Sequence, residues 1–225
     1  MTAVFWMLVL AHLIGDYPLQ TDWLVSVKRN WWGLSLHVGV HLLVLLILAR
    51  SALPSLWPYL VTLAVIHYCI DAFKNWLSSV RPQWVNGPYI FDQFLHLLSL
   101  TGITLWIANR LDPSALASRL FLSPEWTILL IGLSLCSVVW YISERVLSHA
   151  TPVYQQEVVD RRWPRIFIRA TLFFLLLWAG ELAGALVLPL FLFLLPYPSP
   201  TYRRRAMMTD VAVALVSALL VMAAQ

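Results

Sequence analysis

Four apolar stretches of this chain each carry two ionisable side chains one helical turn apart. They are His12 with Asp16, His37 with His41, His67 with Asp71, and Asp92 with His96. Residues i and i+4 share one face of a helix, so each stretch presents a pair of potential ligands to its neighbours. A charged group in a membrane-type helix costs on the order of 2.5–3.5 kcal/mol even on the mildest scale, unless it is paired. A chain with four such stretches is therefore constrained to bring them together around one polar interior.

The surrounding composition makes lipid the medium in which this happens. Of 225 residues, 60% are hydrophobic and 12% charged, with mean hydropathy +0.76; a soluble domain is nearer half apolar and a quarter charged. Several runs approach the ~20 apolar residues that cross a bilayer. The sequence predicts an all-α, polytopic integral membrane bundle of about seven transmembrane helices: residues 2–16, 33–49, 56–77, 89–109, 125–147, 166–195 and 207–224. Pro54 and Pro58 are expected in the turn before the third. The first run lacks a basic leader region and a small-residue cleavage site and ends in Gly15-Asp16-Tyr17-Pro18, so it is expected to stay as a membrane helix.

Asp112-Pro113 marks a connector between a front half dense in polar motifs (1–110, a four-helix core) and a back half poor in them (111–225, about three helices). The net charge of +4 and pI near 9.3 come mostly from loop arginines, which points to membrane anchoring rather than nucleic acid. Cys69 and Cys136 lie in apolar segments and read as small buried residues rather than a disulfide. Asp22 is placed to cap a short surface helix, and Lys28, Arg29, Trp31 and Trp32 mark an interface. In the back half, Glu181 lies between Gly180 and Gly184 and either pairs with a residue such as Arg169 or faces a cavity. Asp210 is expected to pair at the interface with the run Arg203 to Arg205.

Alternating helices would put Lys28, Arg29, Lys74, Arg81, Arg145, Arg161, Arg162 and Arg165 on one side, and Arg50, Arg110, Arg119 and the triple-arginine run on the other. The larger set predicts a cytoplasmic side, with the N-terminus on the opposite side. The pairs then agree in depth. His12 and Asp16 come late in the first helix, His37 and His41 early in the second, His67 and Asp71 late in the third, and Asp92 and His96 early in the fourth. In an up-down-up-down bundle these positions share one end, about 6–15 Å in at 1.5 Å per residue.

Imidazole and carboxylate together suit Zn, Mn or Fe better than a calcium-type oxygen cage. The expected metal ligands are His12, Asp16, His37, His41, His67, Asp71, Asp92 and His96, enough for one or two divalent ions. Asp16 or Asp92, whichever is not a ligand, is a candidate general base. Gln20, Lys74 and Gln93 are candidates for binding substrate; Lys74 also reads as a snorkelling anchor and the glutamines as interhelical hydrogen-bond donors.

The segment from His12 through Gly15-Asp16-Tyr17-Pro18-Leu19-Gln20-Thr21-Asp22 to Trp23 resembles the opening motif of bacterial membrane proteins of the domain-of-unknown-function 3307 family. His37 with His41, His67-Tyr68-Cys69-Ile70-Asp71 with Lys74, and Asp92-Gln93 with His96 resemble its later motifs. The resemblance covers roughly the first 110 residues and implies no reaction. A looser similarity runs to metal-dependent membrane hydrolases, although the chain lacks their Pro-Asp-x-Asp-His segment.

No Gly-x-Ser-x-Gly, phosphate-loop or dinucleotide motif occurs, which disfavours serine-nucleophile and nucleotide-driven chemistry. The expected function is a metal-dependent hydrolase acting on a membrane lipid or other amphiphile near the cytoplasmic interface. Two alternatives use the same residues: a transporter or proton or metal-ion pathway, and a non-enzymatic membrane scaffold for a soluble partner.

Overall fold

The structure is a computed structural model that describes the backbone of residues 2–194 and 200–224 and the side chains of residues 3–178 and 204–224. Every described element is helical: α1 (Thr2–Asp16), α2 (Asp22–Val27), α3 (Trp31–Ala49), α4 (Leu53–Val80), α5 (Asn86–Ala108), α6 (Pro113–Ala117), α7 (Pro124–Ser134), α8 (Trp140–Leu147), α9 (Pro152–Asp160), α10 (Arg162–Leu194) and α11 (Pro200–Ala224). A 3-10 turn at Arg50–Ala52 joins α3 to α4, and a π-helical turn at Leu135–Val139 joins α7 to α8.

Among the described residues, four stretches are long and apolar enough to cross a membrane: Trp31–Val80, Asn86–Ala108, Pro124–Leu147 and Arg204–Ala224. The first of these is the α3–α4 hairpin, in which Leu34 and Val38 pack on Ala64, with Leu42, Tyr68 and Ala72 around them. The shorter α1 is also apolar, from Ala3 to Asp16. This is a helical membrane protein.

The chain forms two compact units, Met1–Ile131 and Gly132–Gln225. In the first, α1 packs on α3 and α5, and α4 packs on the same two helices, so the four make a closed ring. Two local devices set the angles in this ring. Thr21, rather than Asp22, caps α2: its hydroxyl accepts the Leu24 amide at 3.3 Å, and Asp22 is the first helical residue. Either residue type can cap, and the extended backbone at Thr21 decides it. Gly33, at the start of α3, lies so close to the Val27 carbonyl that a Cβ there would fall 2.2 Å from its oxygen, and this lets α2 fold back onto α3.

Other expectations are corrected here. Pro58 lies inside α4 rather than in the turn before it, because α4 already starts at Leu53 with Pro54 in its first turn, where a proline costs no helical hydrogen bond. The Pro58 carbonyl accepts the Thr62 hydroxyl at 2.8 Å. The connector after residue 110 contains α6, capped by Asp112 onto the Ser114 amide at 2.9 Å. The polar stretch after Ser148 contains α9. Cys69 is exposed, not buried, since its i−2 and i+2 neighbours His67 and Asp71 take the inner face of α4; Cys136 is buried, and both thiols are free.

In the second unit the π-helical turn sits beside a buried ion network. Such a turn breaks the regular i to i−4 ladder, and Arg169 supplies donors there, its Nε to the Cys136 carbonyl at 2.6 Å and its Nη2 to the Ser137 carbonyl at 3.1 Å. Asp210, expected at the interface, is buried and pairs with Arg165 at 2.7 Å and Arg169 at 2.8 Å, because α11 packs along α10 and turns it inward. Arg165 also pairs with Glu144 at 3.0 Å, and Glu144 accepts the Tyr154 hydroxyl. Burial, with Glu144 adding to it, pushes the Tyr154 phenol up to about 12, so it holds its proton and donates at neutral pH. The expectations for Gly180, Glu181, Gly184 and Pro189 fall outside the described side chains.

Candidate metal centre

All eight residues of the i,i+4 pairs point into the ring of α1, α3, α4 and α5, and all are buried or nearly so: Asp92 and His96 are 1% exposed, Asp71 2%, His37 fully buried, and the Asp16 side chain 8%. Helical register sorts them into two layers. Toward the shared helix ends lie Asp16, His37, Asp71 and Asp92; one turn further in lie His12, His41, His67 and His96. A third layer follows at the same spacing, made of Leu8, Leu45, Leu63 and Leu100, all buried. A cavity between the second and third layers is lined by these four leucines, Ala64, Ser99 and the four imidazoles.

The carboxylates stitch the cluster together across helices. Asp16 Oδ1 lies 3.0 Å from His41 Nε2 and 3.2 Å from His37 Nε2, while its Oδ2 lies 3.4 Å from His12 Nε2. Asp71 Oδ2 lies 3.2 Å from His37 Nε2 and 3.7 Å from His67 Nε2, and its Oδ1 lies 3.8 Å from His96 Nε2. Asp92 Oδ1 lies 3.3 Å from His96 Nε2. The imidazoles also crowd one another: His41 and His67 have ring centroids 4.0 Å apart, and His67 and His96 4.3 Å.

Nε2 is the nitrogen that every one of the five histidines turns inward. A neutral imidazole nitrogen either donates or accepts, never both, and His37 Nε2 faces His67 Nε2 at 3.4 Å. The buried atoms His12 Nε2, Asp71 Oδ2, Asp92 Oδ1 and His96 Nε2 make no hydrogen bond with acceptable geometry. Buried polar atoms are almost always satisfied, so a group of acceptors aimed at a common centre fits a cation. Three sets have ligand atoms within 4.8 Å of one another: Asp16, His37, His41 and His67; His12, His67 and His96; and Asp16, Asp92 and His96. Asp16, His67 and His96 each belong to two sets, and Asp71 reaches from His37 to His96. The three sets therefore overlap through one carboxylate and two imidazoles.

Helix approach at the cluster depends on Gly15. A Cβ there would lie 2.4–2.6 Å from three atoms of the His41 ring, so only glycine lets that imidazole rest on the α1 backbone beside Asp16. Small residues permit such close approach between membrane helices.

The three residues expected to meet substrate lie at the outer rim. The Lys74 side chain is 23% exposed, and its Nζ donates to Asp92 Oδ2 at 2.6 Å. Gln93 Nε2 donates to the same oxygen at 3.1 Å, and Gln20 Oε1 accepts from Lys28 at 3.2 Å.

Three rim residues were missed from sequence. Lys28, read as an interfacial anchor, is buried, with its Nζ 3.9 Å from Asp71 Oδ2. Tyr17 donates to Gln93 Oε1 at 3.2 Å, and its hydroxyl lies 3.1 Å from that of Tyr89. The Gly15-Asp16-Tyr17 run carried a signal for Tyr17, since a tyrosine next to a ligand-type aspartate at a helix end is poised to cover it.

No curated protein and no solved structure matches the chain. Residues 4–128, which span all four paired stretches, match the family described as "Protein of unknown function (DUF3307)", and the chain belongs to that family.

Proposed function

We propose that the first unit is a metal-dependent hydrolase acting on a membrane lipid or another amphiphile. The observation that carries the reading is the two-layer convergence of five imidazole Nε2 atoms and three carboxylates, several without a hydrogen-bond partner. One or two divalent ions, Zn, Mn or Fe by ligand type, would be held by His37, His41 and His67 on one side and His12 and His96 on the other, with Asp16 and Asp71 between them. Such an ion, when bound, supplies Lewis acidity and lowers the pKa of water.

The chain's own groups then divide the remaining work. Asp16 turns both oxygens onto imidazoles, which suits it to holding metal. Asp92 is positioned by Lys74 and Gln93 through Oδ2 and leaves Oδ1 toward the cluster, which suits it to taking a proton from water. The leucine layer separates the imidazoles from the far half of the bundle. An apolar layer at this depth favours an enzyme over a transmembrane ion path, which would need polar groups to continue through it.

The same proposal includes seven membrane passages, α1, α3, α4, α5, α7 with α8, α10 and α11. It places the site on the cytoplasmic side of a bacterial inner membrane, with the N-terminus periplasmic.

The test is product release from a panel of phospholipids in nanodiscs, read by mass spectrometry, with purified protein loaded in turn with Zn, Mn or Fe. Metal-dependent release that drops at least ~100-fold in Asp92→Asn is expected. Loaded, folded protein that turns over no lipid while passing ions across sealed vesicles would replace the hydrolase with the ion pathway.

A further inference from the structure

Resting on the metal-centre reading above, we propose that the rim of the site binds a phosphoryl group through Lys74, and that this anion balances the charge of the loaded centre. The argument begins with charge. Asp16, Asp71 and Asp92 bring three negative charges, and Lys28 and Lys74 bring two positive ones. With neutral imidazoles the cluster stands at minus one. One divalent ion takes it to plus one, and two take it to plus three. An unbalanced charge in a low-dielectric interior is costly, so a loaded centre needs an anion.

The rim is built to accept one. Lys74 is the most exposed charged member of the cluster; it holds the outer oxygen of Asp92, Oδ2, while Oδ1 faces His96, and an ammonium group has three protons to donate. Beside it lie the Gln93 amide, the Tyr17 and Tyr89 hydroxyls, which are 3.1 Å apart, and Lys28 with Gln20. Two ammonium groups, two phenols and two amides form a donor-rich collar, in which Asp92 Oδ2 accepts from Lys74 and Gln93 and Asp92 Oδ1 turns inward to His96. A tetrahedral oxyanion offers several acceptors to such a collar.

The flank of the collar points to an amphiphile as the carrier of that group. Phe73, Trp76, Phe91 and Phe94 are exposed on α4 and α5, with Phe73 5.6 Å from Trp76 and 6.2 Å from Phe91 by ring centroid. They place an apolar surface beside Lys74, where an acyl chain can lie while the headgroup reaches the collar.

Linkage makes this measurable, because if an anion tightens metal binding then metal tightens anion binding by the same factor. The experiment is calorimetric titration of the full chain with Mn(II), alone, with inorganic phosphate, and in nanodiscs of phosphatidylcholine with or without phosphatidic acid. The expected result is about tenfold tighter Mn(II) binding with phosphatidic acid. Lys74→Met should lose this gain and Lys74→Arg keep it, with Mn(II) affinity in plain phosphatidylcholine undiminished in both. A gain with inorganic phosphate as well assigns recognition to the phosphoryl group itself; a gain with phosphatidic acid alone assigns it to the lipid-borne form. Mn(II) binding that is indifferent to both anions overturns this proposal and leaves the metal centre standing. A wild-type protein that binds no Mn(II), Zn(II) or Fe(II) overturns both.

Discussion

In the second unit, Asp210 receives Arg165 and Arg169, Arg165 reaches Glu144, and Glu144 receives Tyr154. In the first unit, Asp16 lies against three imidazoles, and two imidazole nitrogens face each other at 3.4 Å. Both clusters are buried and both hold carboxylates. The second has a guanidinium for each carboxylate and donors for the π-turn carbonyls, so its charges are paired within the protein; Glu144 Oε2 meets Arg165 at 3.0 Å as an ion pair without an aligned hydrogen bond. The first is rich in acceptors and short of donors. A self-satisfied network is what a structural clamp requires, whereas an acceptor-rich one is completed by a cation. The difference assigns stability to one cluster and ligand chemistry to the other.

Breaking the clamp gives the largest expected loss of stability. Asp210→Asn leaves two buried guanidiniums without their shared carboxylate and should cost roughly 3–5 kcal/mol, seen as a lowered unfolding midpoint in detergent. Its metal content per folded molecule should not change. A parallel fall in metal stoichiometry of the folded fraction would erase the distinction between the clusters.

Gly15→Ala sharpens the comparison from the other side. The new methyl displaces the His41 ring and should lower metal affinity about 10–100-fold, the range for disturbing groups that orient a metal ligand. Gly39→Ala and Gly102→Ala, where a Cβ meets nothing within 4 Å, should leave affinity alone and raise stability by up to about 1 kcal/mol. Equal metal affinities across all three variants would break the link between α1–α3 approach and the site.

Tyr154→Phe is the mildest test. It removes one donor to Glu144, which Arg165 still holds, and should cost about 1 kcal/mol with no effect on metal binding. A change in metal binding would mean that the two clusters communicate.

What could be read in the sequence follows from how local each signal is. The four pairs were legible because i,i+4 spacing is a property of single helices, and alternation of the helices then aligned their depths. Lys28 was read as an anchor and Lys74 left with two readings because a lysine near a helix end is usually an anchor, and the partner across the ring, Asp71 or Asp92, is not visible in the local sequence. The Asp210 network was illegible: its partners lie 41 and 45 residues away, and the π-turn that recruits Arg169 has no local signature in Leu135–Val139. Cys69 shows the cost of reading an apolar run as buried throughout, since in lipid one face of a helix stays outside. The leucine layer, by contrast, sits one turn beyond each inner histidine and repeats the same local spacing.

The most direct measurement is the metal content of detergent-purified protein by plasma mass spectrometry, wild type beside His67→Ala and Asp92→Asn. His67 belongs to two of the three ligand sets, and Asp92 ties the third to Lys74. The expected result is one or two equivalents of Zn, Mn or Fe in the wild type, lost in both variants while all three proteins remain folded. A folded wild type that stays metal-free after supplementation with each ion would contradict the account and leave the histidine–aspartate cluster as a proton-carrying or structural network.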